Sequence, residues 1–395
     1  TVEIDPRLVG IEQRLVGLER DGTHVVIVEL DLARQTLTRS DLGRFVNVEA
    51  MIAGDDWVVF VDQGGNAHLA RDGEPVEQTL LRDAWELRWQ VGTDRFWHPD
   101  FGEDGWGWGG PTVWEEIDIT GAPTGVTQEI PLGTWAESVD PRGGLVIEVA
   151  GKHYSVDGSD NSLIGPGQLI GLSADTAVLW DCDDQLQCGL VVADRTTGTV
   201  RQLETGTLGD TLPPMEALWG YGGVTVEMVS PDDGMCAATL MEYDGPRLVL
   251  IDLQSGSIVE LATMAWPTPA FAWSPDARFA FFLDPGDGFG DDGFELRAYD
   301  RDSGETFPVF TEPRAWRALA ARPVAPDSDG PSPLVWEIDV DDSGSGHIVR
   351  MIFDFGPMPD ADIEDTSGRL IWDETEVALC SIAPRNEAPA GRLAV

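Results

Sequence analysis

The sequence predicts an all-β fold of the propeller type, in which four-stranded sheets stand side by side around a common axis. Short segments of alternating apolar and polar residues recur along the chain, separated by turns rich in Gly, Pro, Asp and Ser. No segment holds the apolar period of about 3.6 residues that indicates a helical domain. Because a sheet with two apolar faces cannot bury both of them alone, each predicted sheet requires neighbours of the same kind.

The clearest four-stranded unit covers residues 271–310. Its predicted strands are Phe271–Ser274, Phe279–Leu283, Glu295–Tyr299 and Thr306–Phe310. A Ser-Pro-Asp turn joins the first two strands, an acidic loop joins the second and third, and a Ser-Gly turn joins the last two. The same order of strands and turns recurs in the rest of the chain.

Five further complete units precede this one. They cover residues 46–80, 85–130, 135–164, 169–203 and 224–261. An incomplete unit near the N-terminus lacks its first strand, and its remaining three strands are predicted at Arg14–Glu19, His24–Asp31 and Thr36–Asp41.

The C-terminal region predicts an eighth four-stranded blade. Its strands are expected at Trp316–Ala320, Leu334–Asp339, Ile348–Phe353 and Arg369–Trp372. Glu376–Ile382 then supplies the missing first strand of the N-terminal blade, so that strands from both termini close the ring and leave no exposed sheet edge. In this interpretation residues 1–395 form a single propeller domain. The alternative is a ring of seven blades that Trp316–Ala320 closes, followed by a C-terminal appendage.

The charge of the chain restricts its partners. There are 70 acidic and 25 basic residues, and the net charge is −45. Such a surface repels nucleic acid and anionic lipid, and it attracts cations and basic proteins. The charge has two interpretations, which are solubility in a salty or extracellular medium and a site that gathers metal ions.

Two features favour a location outside the cytoplasm. Cys182 and Cys188 flank five residues that suit a turn between two strands, so we expect a disulfide bond, which forms in an oxidising compartment. Cys236 and Cys380 lie in apolar segments and are expected to be buried thiols, with a bond between them as the alternative. The sequence begins at Thr1 without an initiator Met, so either a leader or anchor has been removed or the sequence has been trimmed. No apolar run is long enough to cross a membrane.

Two of the turns carry a resemblance to a known repeat family. The chain resembles TolB-type and WD40-like propeller repeats over residues 224–310, at the following positions: Ser230-Pro231-Asp232, Ser274-Pro275-Asp276, Asp252 with Gly256, and Asp300 with Gly304. The Gly-His and Trp-Asp pairs of true WD40 repeats are absent. The resemblance implies a fold and no activity, since propellers of this kind host many unrelated functions.

An insertion at residues 98–111 is rich in Gly and Trp and is the first candidate binding site. Trp106 and Trp108 are alternate residues, so they face the same way in an extended loop. Together with Trp97 and His98, exposed indoles beside carboxylates could stack on a sugar ring or on an apolar protein surface. The alternative is that the loop folds onto the propeller itself and buries the indoles.

A second candidate is a calcium site in an acidic turn. Asp339, Asp341 and Ser343 occupy positions 1, 3 and 5 of a calcium-loop pattern, and Gly344 occupies position 6. The pattern departs from a calcium loop at His347, where an acidic residue is usual. The loop at residues 284–295 is rich in oxygen ligands but lacks the spacing. The alternative for both segments is a solvated loop.

Motifs of catalysis are absent from the sequence. We find no His-Glu-x-x-His pair, no Gly-x-Ser-x-Gly elbow and no Gly-rich phosphate loop between a strand and a helix. We therefore expect a non-enzymatic, extracytoplasmic module that binds a protein, with a basic partner favoured, or that acts as a scaffold through its rim loops. One alternative is a carbohydrate-binding or glycoside-hydrolysing propeller with a pair of carboxylates at its mouth. Another is a structural subunit of a cell-envelope or surface assembly.

Overall fold

In the residues that it describes, the computed structural model consists of strands, turns and one short 3-10 helix, Pro6–Leu8. It describes residues 1–21, 24–43, 48–62, 66–71, 78–81, 87–90, 93–100, 113–131, 134, 136–158, 160–182, 188–203, 228–242, 245–263, 271–285, 293–312, 314–322, 334–340, 347–353, 370–372 and 377–379. The chain divides into two compact units, Thr1–Val324 and Ala325–Val395.

The first unit contains 28 of the strands, which alternate with short turns. In chain order these are β1 (Arg14–Asp21), β2 (His24–Asp31), β3 (Thr36–Gly43), β4 (Val48–Ala53), β5 (Trp57–Asp62), β6 (Ala67–Arg71), β7 (Gln78–Leu81), β8 (Arg88–Trp89), β9 (Arg95–Asp100), β10 (Val113–Asp118), β11 (Pro123–Glu129), β12 (Ala136–Val139), β13 (Leu145–Val149), β14 (Lys152–Asp157), β15 (Asp160–Pro166), β16 (Gln168–Leu172), β17 (Thr176–Cys182), β18 (Cys188–Asp194), β19 (Val200–Gln202), β20 (Met235–Glu242), β21 (Gly245–Asp252), β22 (Ile258–Thr263), β23 (Phe271–Trp273), β24 (Phe279–Asp284), β25 (Phe294–Asp300), β26 (Glu305–Pro308), β27 (Ala315–Trp316) and β28 (Leu319–Ala321).

These strands form seven antiparallel sheets, which we number as blades 1 to 7 in chain order. Blade 1 has the order β28-β1-β2-β3, and blades 2 to 5 each use four consecutive strands from β4 to β19. Blade 6 contains β20-β21-β22, and Val229 adds an isolated bridge to Cys236 of β20. Blade 7 contains β23-β24-β25-β26, with β27 paired to β25 as well. The protein is therefore an all-β propeller, as predicted.

The preferred count of eight blades was wrong, because the structure has seven. Strand β28 pairs with β1 and supplies the first strand of blade 1, so the segment Glu376–Ile382 does not have that role. The apolar side chains of Trp316, Leu319 and Ala320 are buried there, which favours the nearer segment. In the second unit, β29 (Leu334–Val340) pairs with β30 (His347–Phe353), and β31 (Leu370–Trp372) pairs with β32 (Val377–Leu379).

The core lies between neighbouring blades. Blade 7 packs on blade 1, for example, where Phe279 and Phe281 share a buried cluster with Leu15 and Val28. Both phenylalanine side chains are at most 1% exposed, and full burial of such a side chain stabilises the fold by about 2–3 kcal/mol. Similar apolar clusters join every other pair of consecutive blades. The alternating pattern of the sequence thus supplies two buried faces to each sheet.

The Ser-Pro-Asp turns are built by side-chain capping. Ser274 Oγ accepts a hydrogen bond from the Phe279 backbone N–H at 2.8 Å and donates one to Asp276 Oδ1 at 2.6 Å. Ser230 makes the equivalent bond to the Met235 N–H at 2.9 Å. In the turns between the third and fourth strands, Gly256 has a φ of 73°, which favours glycine. The repeat signature therefore has a local structural cause.

These turns define one face of the propeller. This end carries the turns between the first and second strands and between the third and fourth strands of each blade. We call it the Asp-turn face. Polar links between blades occur on it: Arg195 of blade 5 pairs with the buried Asp140 of blade 4, and Arg301 of blade 7 pairs with Asp232 of blade 6 at 2.5 Å. The opposite end carries the turns between second and third strands, and we call it the hairpin face.

Candidate functional site

The hairpin face carries all four histidines of the first unit. His24 begins β2 of blade 1, His68 is the second residue of β6 in blade 2, and His153 is the second residue of β14 in blade 4. His98 lies near the end of β9 in blade 3. In every case the residue lies near the turn between the second and third strands. Sequence analysis did not anticipate this grouping.

Blade 4 brings three of its polar side chains together through its register. Glu148 on β13 lies directly opposite His153 on β14, so their Cβ atoms are neighbours on one face of the sheet. On β12, Ala136 pairs with Ile147 and Ser138 pairs with Val146, which leaves Glu137 without a partner in the ladder. Such an irregularity redirects the side chain of the extra residue. Glu137 accordingly reaches His153.

The donor atoms of these residues converge. One ligand atom each of Glu137, Glu148 and His153 lies within 4.8 Å of the others. The His153 Nε2 atom is 2.6 Å from Glu137 Oε2, and Glu148 Oε1 accepts a hydrogen bond from the Gly151 N–H at 3.1 Å. His153 is buried, Glu137 is half-buried and Glu148 is exposed, so the group is open to solvent on one side. We call these three residues the blade 4 cluster.

An arginine from the neighbouring blade supports the cluster from behind. Arg88 of β8 is buried, and its Nε donates to the carbonyl oxygens of Ala136 and Glu137, each at 3.1 Å. Its guanidinium also lies over the ring of Trp114, 6.0 Å from the centroid. These contacts hold the irregular part of β12, and with it the direction of Glu137.

The blade 4 cluster has a structural counterpart in blade 5. There Leu169 pairs with Leu179, Gly171 pairs with Val178, and Ile170 has no partner in the ladder. Trp180 lies opposite Leu190. Ile170, Trp180 and Leu190 therefore occupy the positions of Glu137, Glu148 and His153, and all three are buried in the apolar core shared with blade 6.

A second histidine–carboxylate pair lies on blade 3. His98 and Glu115 are opposite each other on β9 and β10, and His98 Nε2 is 3.6 Å from Glu115 Oε2. The Gly/Trp-rich insertion leaves blade 3 next to this pair, because it connects β9 to β10. The predicted binding residue His98 is thus on the hairpin face.

The other predicted site residues have different outcomes. Trp97 is only 5% exposed and packs with Trp114 and Ile130 in the core between blades 3 and 4. Trp106 and Trp108 lie outside the described residues. The binding role of all these residues stays a prediction.

The predicted calcium and disulfide sites are only partly within the described chain. Asp339 belongs to β29, where its backbone pairs with Ile348, whereas Asp341 and Ser343 lie outside the described residues. Cys182 and Cys188 are Cα partners at the end of the β17–β18 hairpin. Directly opposed residues of antiparallel strands have the Cα separation that a disulfide needs, about 4.5–5.5 Å. Cys236 is a buried free thiol, and burial raises its pKa well above the ordinary value.

Three carboxylates on the hairpin side of blades 3 and 4 have, in the described structure, no basic partner other than histidine. Within the part of the chain that the structure describes, no Arg or Lys forms a salt bridge with Glu115, Glu137 or Glu148. By contrast, Glu260 of blade 6 pairs with Arg247 at 2.8 Å, and Glu19 of blade 1 pairs with an arginine at 3.1 Å. Among the described residues, the hairpin face of blades 3 and 4 therefore carries three carboxylates that no Arg or Lys neutralises.

The described strands form a seven-bladed propeller, and its Ser-Pro-Asp turns resemble those of TolB-type repeats. No protein-family model and no curated protein matches the sequence. Similar solved structures include TolB from Acinetobacter baumannii, at 14% identity over 78% of this chain and 82% of that chain, with a TM-score of 0.41.

Two other solved structures of different proteins are also similar to this chain. An oligogalacturonate lyase in complex with manganese is 13% identical over 69% of this chain and 88% of its own, with a TM-score of 0.45. Apo AztD from Citrobacter koseri is 11% identical over 78% and 97%, with a TM-score of 0.36. The resemblance to TolB-type repeats that the Ser-Pro-Asp turns indicated is confirmed, at the level of the fold. Among the described residues, no helix has the length and apolar character needed to span a membrane.

Proposed function

We propose that this protein is an extracytoplasmic, non-enzymatic binding module that holds a basic protein partner at the hairpin face of blades 3 and 4. The observation that carries the proposal is the set of carboxylates without arginine partners there, Glu115, Glu137 and Glu148, in the described part of the chain. On the Asp-turn face, by contrast, arginines neutralise Asp140, Asp232 and Asp300. Unneutralised carboxylates on a rigid scaffold attract a basic surface and increase its association rate.

The position of the Gly/Trp-rich insertion supports the same face. The insertion connects Asp100 at the end of β9 to Val113 at the start of β10, and so it leaves blade 3 on the hairpin side. Indole rings beside carboxylates would add apolar contact area to an otherwise electrostatic interface, which is the composition typical of binding hot spots. We expect Trp106 and Trp108 to contribute this area.

Two further parts of the proposal concern the ring and its location. We infer that the seven blades close into a ring, which the pairing of β28 with β1 and the core between blades 7 and 1 support. We also infer an oxidising location. The opposed positions of Cys182 and Cys188 in a hairpin support it, because such a pair suits a disulfide.

The experiment is a pull-down with the purified chain against an envelope extract of its source, at low and high salt, with captured proteins identified by mass spectrometry. We expect one stoichiometric basic partner that is lost at high salt. The double variant Glu115→Gln/Glu148→Gln should reduce its retention about tenfold, since two exposed charge pairs contribute up to about 1 kcal/mol each.

A matched control removes the same charge elsewhere. Glu12 and Asp55 are exposed and lie toward the Asp-turn face, in the segment before β1 and in the turn between β4 and β5. The double variant Glu12→Gln/Asp55→Asn should retain the partner normally. Equal loss in both double variants would show that only the net charge matters and would contradict the proposed site. The variant Trp106→Ala/Trp108→Ala should lose the partner while its melting temperature stays within about two degrees.

A carbohydrate-active role is the second candidate, and a specific observation favours it. Carboxylate oxygens of Glu137 and Glu148 lie within 4.8 Å of each other, and closely spaced carboxyl groups are the catalytic pair of retaining glycosidases. The test is release of reducing ends from acidic and neutral polysaccharides. Product formation that Glu148→Gln abolishes would favour this role over the binding module.

A further inference from the structure

We propose that the blade 4 cluster, Glu137, Glu148 and His153, binds one divalent transition-metal ion. This inference goes beyond the proposed function and does not depend on it, since it concerns a metal site in one blade rather than a partner. It also differs from the calcium site predicted at Asp339, Asp341 and Ser343, both in place and in ligand type.

Three suitable donor atoms converge in the blade 4 cluster. The ligand atoms lie within 4.8 Å of one another and come from three adjacent strands of one sheet. Metal–ligand bonds of about 2.0–2.2 Å place the ligand atoms of one ion about 3–3.5 Å apart. The cluster therefore needs only a small side-chain movement to surround an ion. Its exposed side, at Glu148, leaves room for water or an exogenous ligand.

Blade 4 also contains two buried polar atoms that have no hydrogen-bond partner among the described residues. His153 Nδ1 and Ser138 Oγ are both in this condition within the described residues. The pairing of Ser138 with Val146, the alternation from Val146 to Glu148, and the pairing of Glu148 with His153 place these side chains on one face of blade 4. Buried polar atoms are normally satisfied by protein, water or an ion. Because His153 Nε2 faces Glu137, Nδ1 points away from the carboxylates, so the hydration shell of a bound ion, rather than the ion itself, would bring partners to this face.

Blade 5 shows that the fold does not need polar groups at these positions. Ile170, Trp180 and Leu190 occupy the same three positions and are at most 6% exposed. Apolar side chains thus satisfy the same backbone frame. A buried imidazole with two carboxylates is a costly alternative to apolar packing unless it has a use.

The charges of the blade 4 cluster also favour a bound cation. The two carboxylates are close together, and within the described residues neither forms a salt bridge with Arg or Lys. A divalent cation between them would offset their repulsion directly. Within the described residues Arg88 forms no salt bridge with Glu137 or Glu148, and its Nε donates to the carbonyl oxygens of Ala136 and Glu137. It acts as a positioning residue that holds Glu137 toward His153.

The donor set indicates the class of metal. One imidazole with two carboxylates is suited to Zn²⁺, Mn²⁺, Fe²⁺ or Co²⁺. Calcium and magnesium prefer oxygen ligands throughout, so they should bind more weakly at this site.

The test is isothermal titration of the chelator-treated, full-length protein with ZnCl₂, MnCl₂ and CaCl₂ separately, in buffer of physiological salt. We expect one stoichiometric zinc or manganese site and much weaker calcium binding. Glu148→Gln, at an exposed position, should weaken this site at least about tenfold, and His153→Gln should weaken it further. Circular dichroism checks that each variant is folded.

The matched control is His24→Gln. His24 lies on the same face, and its Nδ1 atom is 2.9 Å from Asp41. Among the described residues, His24 and Asp41 are not part of a group of three possible metal ligands. This variant should bind metal like the unmodified chain. Several weak sites without a stoichiometric one, an unchanged affinity in Glu148→Gln, or an equal loss in His24→Gln would each overturn the proposal. Partner capture is not measured, so failure here is distinct from failure of the binding-module proposal.

Discussion

Blades 4 and 5 have the same backbone frame and fill it with opposite chemistry. Both have an unpaired residue near the start of the first strand, and both place a residue of the second strand opposite one of the third. In blade 5 these positions carry Ile170, Trp180 and Leu190, which continue the apolar core toward blade 6. Blade 4 instead has a carboxylate, a carboxylate and an imidazole.

The difference shows which residues of this propeller are needed to form the sheet and which are not. The turn signatures and alternating strands are common to both blades because they build the sheet. The polar trio is not required by that sheet, since blade 5 forms without it. What distinguishes the two blades is therefore the best guide to function, and exchanging their residues is the most direct experiment.

The largest effect should come from placing the blade 4 residue in blade 5. Leu190 is fully buried, so Leu190→His removes apolar contacts and buries an imidazole without a designed partner. We expect the free energy of unfolding in urea to fall by about 3–5 kcal/mol. The control Leu190→Met keeps the volume and should cost less than about 1.5 kcal/mol. If Leu190→His lowered the free energy of unfolding by less than about 1 kcal/mol, blade 5 would also tolerate a polar site.

An intermediate effect is expected on the Asp-turn face, where carboxylates are structural. Arg278 donates to both oxygens of the buried Asp300, at 3.1 and 3.2 Å. These bonds hold the pKa of Asp300 below its usual value. A lowered pKa in the folded state means that the stabilisation is complete above the unfolded pKa of about 4 and is lost as the pH falls through the folded pKa.

Asp300→Asn should accordingly lower stability at pH 7 by less than half of the Leu190→His effect. It should also flatten the decline of stability below pH 4, because the group that titrates there has been removed. Urea unfolding at several pH values measures both changes. An unchanged decline of stability below pH 4 in Asp300→Asn would contradict this structural role of the carboxylate.

The smallest effect on stability should come from the reciprocal exchange in blade 4. His153→Leu replaces a buried imidazole by the residue that blade 5 uses, while Glu137 stays half-exposed to water. We expect the free energy of unfolding to stay within about 1 kcal/mol of the unmodified chain, or to rise. Added zinc should then no longer raise the melting temperature. A large destabilisation of His153→Leu would assign His153 to the core rather than to a site.

Much of the fold could be predicted because its signals are local. The turns at residues 230–234 and 274–278 are capped by their own serines, so their sequence and structure correspond directly. The number of blades, by contrast, depends on which distant segments pair, and no local pattern indicates this. Segments such as Glu376–Ile382 and Leu319–Ala321 have similar strand patterns, and only packing around Trp316 selects the second.

The blade 4 cluster was not predicted, because its members are separated in sequence and meet through the register. Glu148 and His153 look like ordinary polar residues of two strands until their pairing is known. Aligning residues 135–164 with residues 169–203 would have given a signal, since His153 then falls on Leu190 and Glu148 falls on Trp180. The direction of Glu137 depends on an irregularity in β12 that composition does not reveal.

The pairing of β28 with β1 has a consequence for biosynthesis. Gly17 pairs with Leu319, so blade 1 lacks its first strand until almost the whole first unit has been synthesised. Until then, β1 presents an unpaired edge to every nascent chain nearby. Such distant pairing slows folding and prolongs exposure to aggregation. A chaperone that shields the first few dozen residues during translation, or a high net negative charge that keeps sibling chains apart, would address the same hazard.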